Sequence, residues 1–336
     1  MKRAVTIVYP PGQSSGLRRR TRDFILLTFL PLSTLAQSGV PPEAVEQFNH
    51  VIGSRVEAAT ILGGDFGASS GIYSFRGGTL ADLSISKLGG SGEVAAPRPL
   101  GPGGLKWAPV LQGNLGHLIA ENEFKTGYLQ GNRMIYDVLA VQLGGGARFY
   151  FTDHLSLAPT FSGIYGHTEN EFKPQNAVGD AVKAAARGTF VDWQIDTWSV
   201  MPSLDGRYEW NWERTAFAFN SRYTFFHTES FASSSPVISV NGDSHTWENK
   251  LDVDVPLGWK CCGRELHTGG FFARTELFGG AADGLNEDHL YTVNGRVVLD
   301  LLGHAWKVNW LGAGYSYFWG DHFGGWSAGL DLRFKF

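Results

Sequence analysis

Residues 139–151 read LAVQLGGGARFYF, and apolar or small residues occupy every second position. The odd-numbered positions hold Leu, Val, Leu, Gly, Ala, Phe and Phe, whereas the even-numbered positions include Gln142 and Arg148. Successive side chains of a β-strand point to opposite faces of the sheet. The stretch therefore predicts a strand with one apolar and one polar face.

The same period of two recurs along most of the chain, most clearly at 200–212, 247–259 and 291–301. Aromatic residues often begin or end the apolar face, as Trp247 and Trp259 do, which is typical of strands that cross an outer membrane. The apolar face of any one strand would equally suit the core of a soluble sandwich. Repetition over about 260 residues favours the membrane barrel, because a sandwich of that size more often divides into domains.

Composition excludes two other classes of protein. Of 336 residues 44 are Gly, 13% are aromatic and 18% are charged, and mean hydropathy is -0.12. Disordered chains lack aromatics and carry high net charge. A transmembrane helix needs roughly 18 apolar residues, whereas the apolar run 24–35 is shorter and contains Pro31.

The N-terminus resembles an export signal at 1–36. Four arginines between 18 and 22 precede the apolar run 24–30, and Thr34-Leu35-Ala36 offers small residues for cleavage. The alternative is a buried N-terminal helix. Removal of 1–36 changes the net charge from -4 to -9, and the absence of a basic patch argues against a nucleic-acid partner.

Residues 37–62 are predicted to form a linker and a helix, and 63–336 the barrel. Val45, Phe48, Ile52 and Val56 recur at helical spacing after Pro42. About twelve strands follow, an even number as a single-chain barrel expects. Short connections are predicted at 152–154, 213–214, 261–263 and 303–304, and longer ones at 170–190, 229–244 and 280–287. The short set would be periplasmic; the Pro- and Gly-rich stretch 89–104 does not fit this alternation.

The last strand, 326–336, alternates and ends in Phe. Phe334 and Phe336 on its apolar face resemble the C-terminal signature by which outer-membrane barrels are recognised for assembly. A helix of about twenty residues, twelve strands and a terminal Phe together resemble the translocator unit of autotransporters over about 42–336. Only about five residues separate the predicted cleavage site from the helix, so the chain is most similar to solitary autotransporter-like barrels, which lack a secreted passenger. The family's passenger-cleavage residues have no matching motif here.

The resemblance implies an all-β fold: a transmembrane, antiparallel, up-and-down β-barrel with the N-terminal helix inside its lumen. Charged residues on the polar face of the strands are then predicted to face that lumen, where they would pair with the helix, or bind water and one another. These residues are Arg148, Arg207, Arg222, Asp252, Asp254, Arg274 and Arg296.

Several constellations could carry chemistry. Residues 153–156 read Asp-His-Leu-Ser, and 241–245 read Asn-Gly-Asp-Ser-His, with His227 and Glu229 at an opposing strand end. Each contains residue types of a hydrolase site, although polar loop residues more often make turns. The acidic loop 283–289 lacks the glycine-centred calcium pattern. Cys261 and Cys262 are adjacent and unsuited to an ordinary disulfide, and His267 is the only nearby residue to complete a metal site.

The sequence thus predicts an integral protein of a Gram-negative outer membrane, either a plugged envelope protein or a narrow channel. Its expected partners are outer-membrane lipid and the barrel assembly machinery, and it is expected to be a monomer without a cofactor. The alternative is an outer-membrane hydrolase that acts on lipid or peptide at the extracellular rim.

Overall fold

A computed structural model describes residues 68–75, 82–124, 127–305 and 308–334. The predicted signal peptide at 1–36 and the predicted linker and helix at 37–62 lie outside the described residues. So does Phe336 of the predicted assembly signature.

The described chain is built almost entirely of strands. In chain order they are β1 (Ala68–Phe75), β2 (Asp82–Glu93), β3 (Arg98–Pro99), β4 (Lys106–Glu123), β5 (Arg133–Tyr150), β6 (Leu155–Lys173), β7 (Gln194–Trp212), β8 (Thr215–Ser233), β9 (Asn241–Cys261), β10 (Arg264–Gly279), β11 (His289–Ala305), β12 (Val308–Trp319) and β13 (Phe323–Phe334). Two helices interrupt the series: α1 (Ala177–Ala186) between β6 and β7, and α2 (Gly280–Leu285) between β10 and β11.

The twelve long strands form a closed antiparallel ring. Each strand from β4 to β13 pairs with the next in the chain. The ring closes because β13 pairs with β1, β1 with β2, and β2 with β4. Closure leaves none of these strands as a free edge, so the sheet is an up-and-down barrel as the period of two predicts.

Three boundaries differ from the sequence prediction. Strand β2 runs on to Glu93, and β3 pairs with the start of β4 through Arg98 and Trp107, so the stretch 89–104 is part strand and part long connection. Strand β11 continues to Ala305, through the turn predicted at 303–304. The connection predicted at 170–190 contains α1, which the hydrophobic period did not reveal.

The two ends of the barrel differ in their connections. Short turns join β5 to β6, β7 to β8 and β9 to β10, whereas the other end carries the segments 124–132, 174–193, 234–240 and 280–288. We call these the short-turn end and the long-loop end. The segment 94–105, between β2 and β4, is the one long connection of the described chain at the short-turn end.

Side-chain exposure separates the faces of the sheet. Along β6, Leu155, Phe161 and Tyr165 are exposed, whereas Ser156, Thr160 and Ser162 between them are buried. The exposed apolar face is the outer, lipid-facing one.

Large aromatic residues form a belt on the outer face near each end of the barrel. Trp198 and Trp247 lie toward the long-loop end, and Trp212 and Trp259 toward the short-turn end; all four are exposed. Ten to twelve residues of a strand tilted by about 40° span roughly 25–30 Å along the membrane normal. That height matches the apolar band of an outer-membrane barrel, about 25 Å, with its flanking aromatic girdles.

Candidate functional site

The inner wall carries paired charges near the short-turn end. The Arg148 Nη2 atom lies 2.9 Å from Asp205 Oδ2, and its Nε lies 3.5 Å from Glu93 Oε1. The Tyr150 hydroxyl also donates to Glu93, and Arg148 Nη1 donates to Ser156 Oγ at 3.2 Å. Four strands therefore share one hydrogen-bonded network on the wall, because inward side chains of β2, β5, β6 and β7 meet there.

A second group lies on the inner face of β9 to β12. Both terminal nitrogens of Arg296 bind the Asp252 carboxylate, at 2.6 and 2.9 Å, and the Arg296 side chain is only 4% exposed. His267 Nδ1 lies 2.9 Å from Asp254 Oδ2. The two pairs almost remove net charge from this part of the wall, as buried ionic groups require.

Two of the remaining predicted residues also lie on the inner face. The Arg207 Nη2 atom lies 2.5 Å from Glu209 Oε1. Arg222 stands in register with Asp205 on one side and Glu248 on the other. Six of the seven charges predicted for the lumen thus share the face opposite to the exposed apolar residues.

The prediction for Arg274 is wrong. Arg274 lies on the outer face, exposed, with its guanidinium 5.6 Å from the centre of the Tyr291 ring and its Nε 2.6 Å from Glu276 Oε1. The reason is register: Phe272 pairs with the outward Leu251, so every even-numbered side chain of this part of β10 points outward. For the same reason Trp310 is not an outer-belt residue, since it pairs with Asp300 and packs its ring 5.1 Å from His267.

The residues of the hydrolase alternative are not brought together. Asp243 and His245 lie on the outer face, where they bind His227 and Tyr223. Ser244 points to the other face, is fully buried and accepts from the Ala281 amide at 2.8 Å. At the other candidate, His154 Nδ1 bonds the Glu209 carbonyl, whereas Ser156 bonds Arg148. Neither serine has the histidine base that nucleophilic catalysis needs.

No group of three or more metal-ligating side chains occurs among the described residues. In the acidic loop, Glu287 is buried and accepts from the backbone amides of Asp321 and His322, the first at 2.9 Å. It therefore joins the β10–β11 connection to the β12–β13 connection. His267 faces the inner wall, so it does not complete a site with the cysteines.

Three connections at the long-loop end are joined to one another. The fully buried Asn132 donates to the Leu129 carbonyl at 2.8 Å and accepts from the Gln175 amide at 2.6 Å. The Ser235 hydroxyl donates to the Thr189 carbonyl at 2.7 Å, and the Ser234 amide to the Gln194 carbonyl at 2.9 Å. The segments 124–132, 174–193 and 234–240 thus form one connected layer.

This layer packs against the inner side of the strand ends. Phe172 of β6 is inward and contacts Val182 of α1 and Val191, and inward Ile195 of β7 clusters with Ile238 and Val240. On the opposite part of the ring, Leu285 of α2 joins an inward apolar cluster completed by Leu83, Ile85, Leu118, Val138, Leu277 and Leu290. Connections whose apolar residues contact the inner face fold inward, over the mouth of the barrel.

Sequence reasoning missed this layer. Asn132, Glu287 and Ser235 stand in polar segments that resemble ordinary turns. One available signal was Asn176 before the run AVGDAVKAAA, because Asn is a preferred N-cap. Its side chain does accept from the Gly179 amide at 2.8 Å and so starts α1.

The predicted assembly signature is described only in part. Phe334 is the last residue of β13, which pairs with both β12 and β1. No helix among the described residues is long and apolar enough to cross a membrane.

A closed antiparallel ring with lipid-facing aromatics and a polar inner wall defines a transmembrane β-barrel. Residues 99–330 match the model of the solitary outer membrane autotransporter β-barrel domain, and the chain belongs to that family. It is accordingly an outer-membrane protein of Gram-negative type, in contact with membrane lipid.

Solved structures agree on the fold. The β domain of the Bordetella autotransporter BrkA aligns with a TM-score of 0.53 at 17% identity, over 80% of this chain and 96% of that one. The transport unit of the autotransporter AIDA-I from Escherichia coli aligns with a TM-score of 0.53 at 9% identity, over 86% and 99%. None of the curated sequences compared with the chain matches it.

Proposed function

We propose that this protein is a closed envelope barrel that does not conduct solutes at rest. The observation that carries the proposal is the inward packing of the long-loop end. Val182 and Val191 cover Phe172, and Ile238 and Val240 cover Ile195, all apolar contacts on the side of the sheet that would otherwise line the mouth. Water would not pass readily through contacts of this kind.

The charges of the wall support the same reading. An open, selective pore presents charged side chains to the permeating ion. Here Arg148 is bound by Asp205, and Arg296 by Asp252 in bidentate geometry. Guanidinium groups neutralised in this way stiffen the wall more than they attract solutes.

We further propose that the predicted helix of 37–62 is a second obstruction, inside the lumen, and that the chain works as a monomer inserted by the barrel assembly machinery. The hydrolase alternative has less support, because Ser244 and His245 lie on opposite faces of β9. No catalytic role is proposed for His227 or Glu229.

The test is single-channel conductance of the refolded full chain in planar bilayers. Three variants accompany it: deletion of 37–62, replacement of 234–240 by Gly-Gly, and the two changes combined. We expect the full chain to be silent and the combined variant to conduct. Steady conductance by the full chain contradicts the closed barrel.

The single variants separate the two obstructions. Conductance after the 37–62 deletion alone would assign closure to the helix, and conductance after the loop replacement alone would assign it to the packed layer. Silence of all four proteins would remove the channel reading altogether and leave a structural barrel. Heat-modifiable migration in gels confirms that each variant is folded before it is measured.

A further inference from the structure

The turn between β9 and β10 carries two adjacent thiols that the barrel itself does not use. Cys261 ends β9 and pairs with Arg264, so Cys262 and Gly263 form a two-residue hairpin turn. Their φ angles are +55° and +77°, as a type I′ turn requires. Asn or Asp before Gly is the usual choice there, because both tolerate the left-handed conformation better than other residues do. Cysteine at this position is not explained by turn formation.

Both thiols are exposed, and their sulfur atoms lie 3.9 Å apart. They are a two-donor site, since His267 is bound to Asp254 on the inner wall. Trp259, an exposed residue of the belt at the short-turn end, precedes them by two positions. The pair therefore stands at the membrane surface, on the side we expect to face the periplasm.

The two cysteines are unable to consume one another easily. Neighbouring Cα atoms lie about 3.8 Å apart across a trans peptide, whereas ordinary disulfides join Cα atoms roughly 4.4–6.8 Å apart. An export route favours disulfides, yet this pair closes one only with strain. Adjacency thus keeps both thiols available to an external ligand.

The surroundings suit thiolates. Residues 260–265 read Lys-Cys-Cys-Gly-Arg-Glu, two cations against one acid, and nearby positive charge favours the thiolate form. The hydrogen bond from the Cys261 thiol to the Cys262 sulfur raises the pKa of the Cys261 thiol. A ligand that takes both sulfurs must displace that proton, so its affinity should rise with pH.

We propose that Cys261 and Cys262 form a bidentate site for a thiophilic metalloid or soft metal ion, of which a trivalent arsenical is the representative. Soft thiolate ligands select such ions. With an aryl arsenoxide, two As–S bonds form, two S–H bonds break, and the arsenic-bound oxygen leaves with both protons as one water. Nothing is oxidised or reduced, and no other reactant is needed.

The test is titration of the refolded full chain with phenylarsine oxide, followed by counting of free thiols with a chromogenic disulfide and by intact mass. We expect one equivalent to remove both thiols and to add one arsenical per chain. Cys261→Ser and Cys262→Ser should each bind about 100-fold more weakly or worse, because the second bond of a chelate forms at high effective concentration.

Lys260→Cys combined with Cys262→Ser is the matched control. It keeps two adjacent cysteines but places both within the strand, where consecutive side chains point to opposite faces. This variant should lose tight binding of one equivalent, although its thiol count is unchanged. Because the substituted side chains are exposed, folding should be preserved, and heat-modifiable migration checks that it is.

Three results would overturn the proposal. The first is a requirement for two equivalents, which signals independent thiols. The second is equally tight binding by either single variant or by the matched control. The third is complete closure of a Cys261–Cys262 disulfide in oxidised glutathione, which shows that the pair does not stay available.

Discussion

At the scale of single residues, the barrel is limited by how closely neighbouring strands approach. Gly270 and Gly295 are paired across β10 and β11 and share the outer face. A Cβ added to Gly270 would lie 2.1 Å from the carbonyl oxygen of Asn294, whereas a Cβ on Gly295 would meet nothing within 4 Å. Two glycines in one pair therefore differ in whether a side chain fits.

Gly270→Ala should destabilise the folded barrel by about 1–3 kcal/mol, because the backbone of β11 must move to admit the methyl group. Gly295→Ala should change the free energy of unfolding by less than about 0.5 kcal/mol. Urea unfolding of the refolded proteins in detergent, followed by tryptophan fluorescence, measures both values. Equal losses in the two variants would show that the backbone contact at Gly270 does not limit packing.

Residue orientation was predictable wherever apolar and polar residues alternate strictly. The inward positions of Arg148, Asp252 and Arg296 follow from that alternation. It failed where two aromatic or apolar residues stand side by side, as Phe271-Phe272 and Trp310-Leu311 do. There the period of two permits either orientation, and only cross-strand register, such as Phe272 with Leu251, selects one. Arg274 was assigned to the wrong face for this reason.

At the scale of elements, the connections of the long-loop end are held by buried polar residues. Glu287 follows α2 and is almost fully buried, and its carboxylate receives two backbone amides of the segment 320–322. Its neighbour Asp288 is exposed. The two acids allow a matched comparison of a structural carboxylate with a solvated one.

Glu287→Ala should release the 320–322 connection, because two backbone donors lose a charged acceptor at a cost of about 1–3 kcal/mol each. The expected readout is faster cleavage of that segment by proteinase K in the otherwise folded barrel, with fragments identified by mass. Asp288→Ala should be cleaved at the rate of the parent protein. Similar cleavage of both variants would mean that Glu287 does not hold the connection.

The strands could be predicted from sequence, and the loop layer could not. A strand repeats its pattern over ten or more residues, so a few exceptions do not hide it. The contacts of Asn132 with Gln175, and of Ser235 with Thr189, join segments far apart in the chain and leave no local period. Their partners are decided by which loops the closed ring brings together.

At the scale of the whole molecule, the final strand completes the ring. β13 pairs with β12 on one side and β1 on the other. The terminal Phe336 lies outside the described residues, and its role as part of an assembly signal rests on the sequence. That role concerns insertion of the chain rather than stability of the finished barrel.

Deletion of Phe336 should therefore lower the amount of heat-modifiable protein in outer-membrane fractions several-fold, while the same variant refolds normally in detergent. Lys335→Ala, on the alternate face of the same terminal segment, should assemble like the parent. Immunoblots of heated and unheated membranes measure assembly. A normal yield of the deletion variant would remove the terminal residue from the recognition signal.

The ladder between β1 and β13 also has a consequence for the order of synthesis. Ala68 pairs with Leu330, so the partner of the first strand is among the last parts of the chain that the ribosome makes. Until then β1 has no neighbour on one side, and an unpaired strand is a template for aggregation. The nascent chain must travel unclosed, and its survival in transit depends on carriers that keep the waiting strand from other partners.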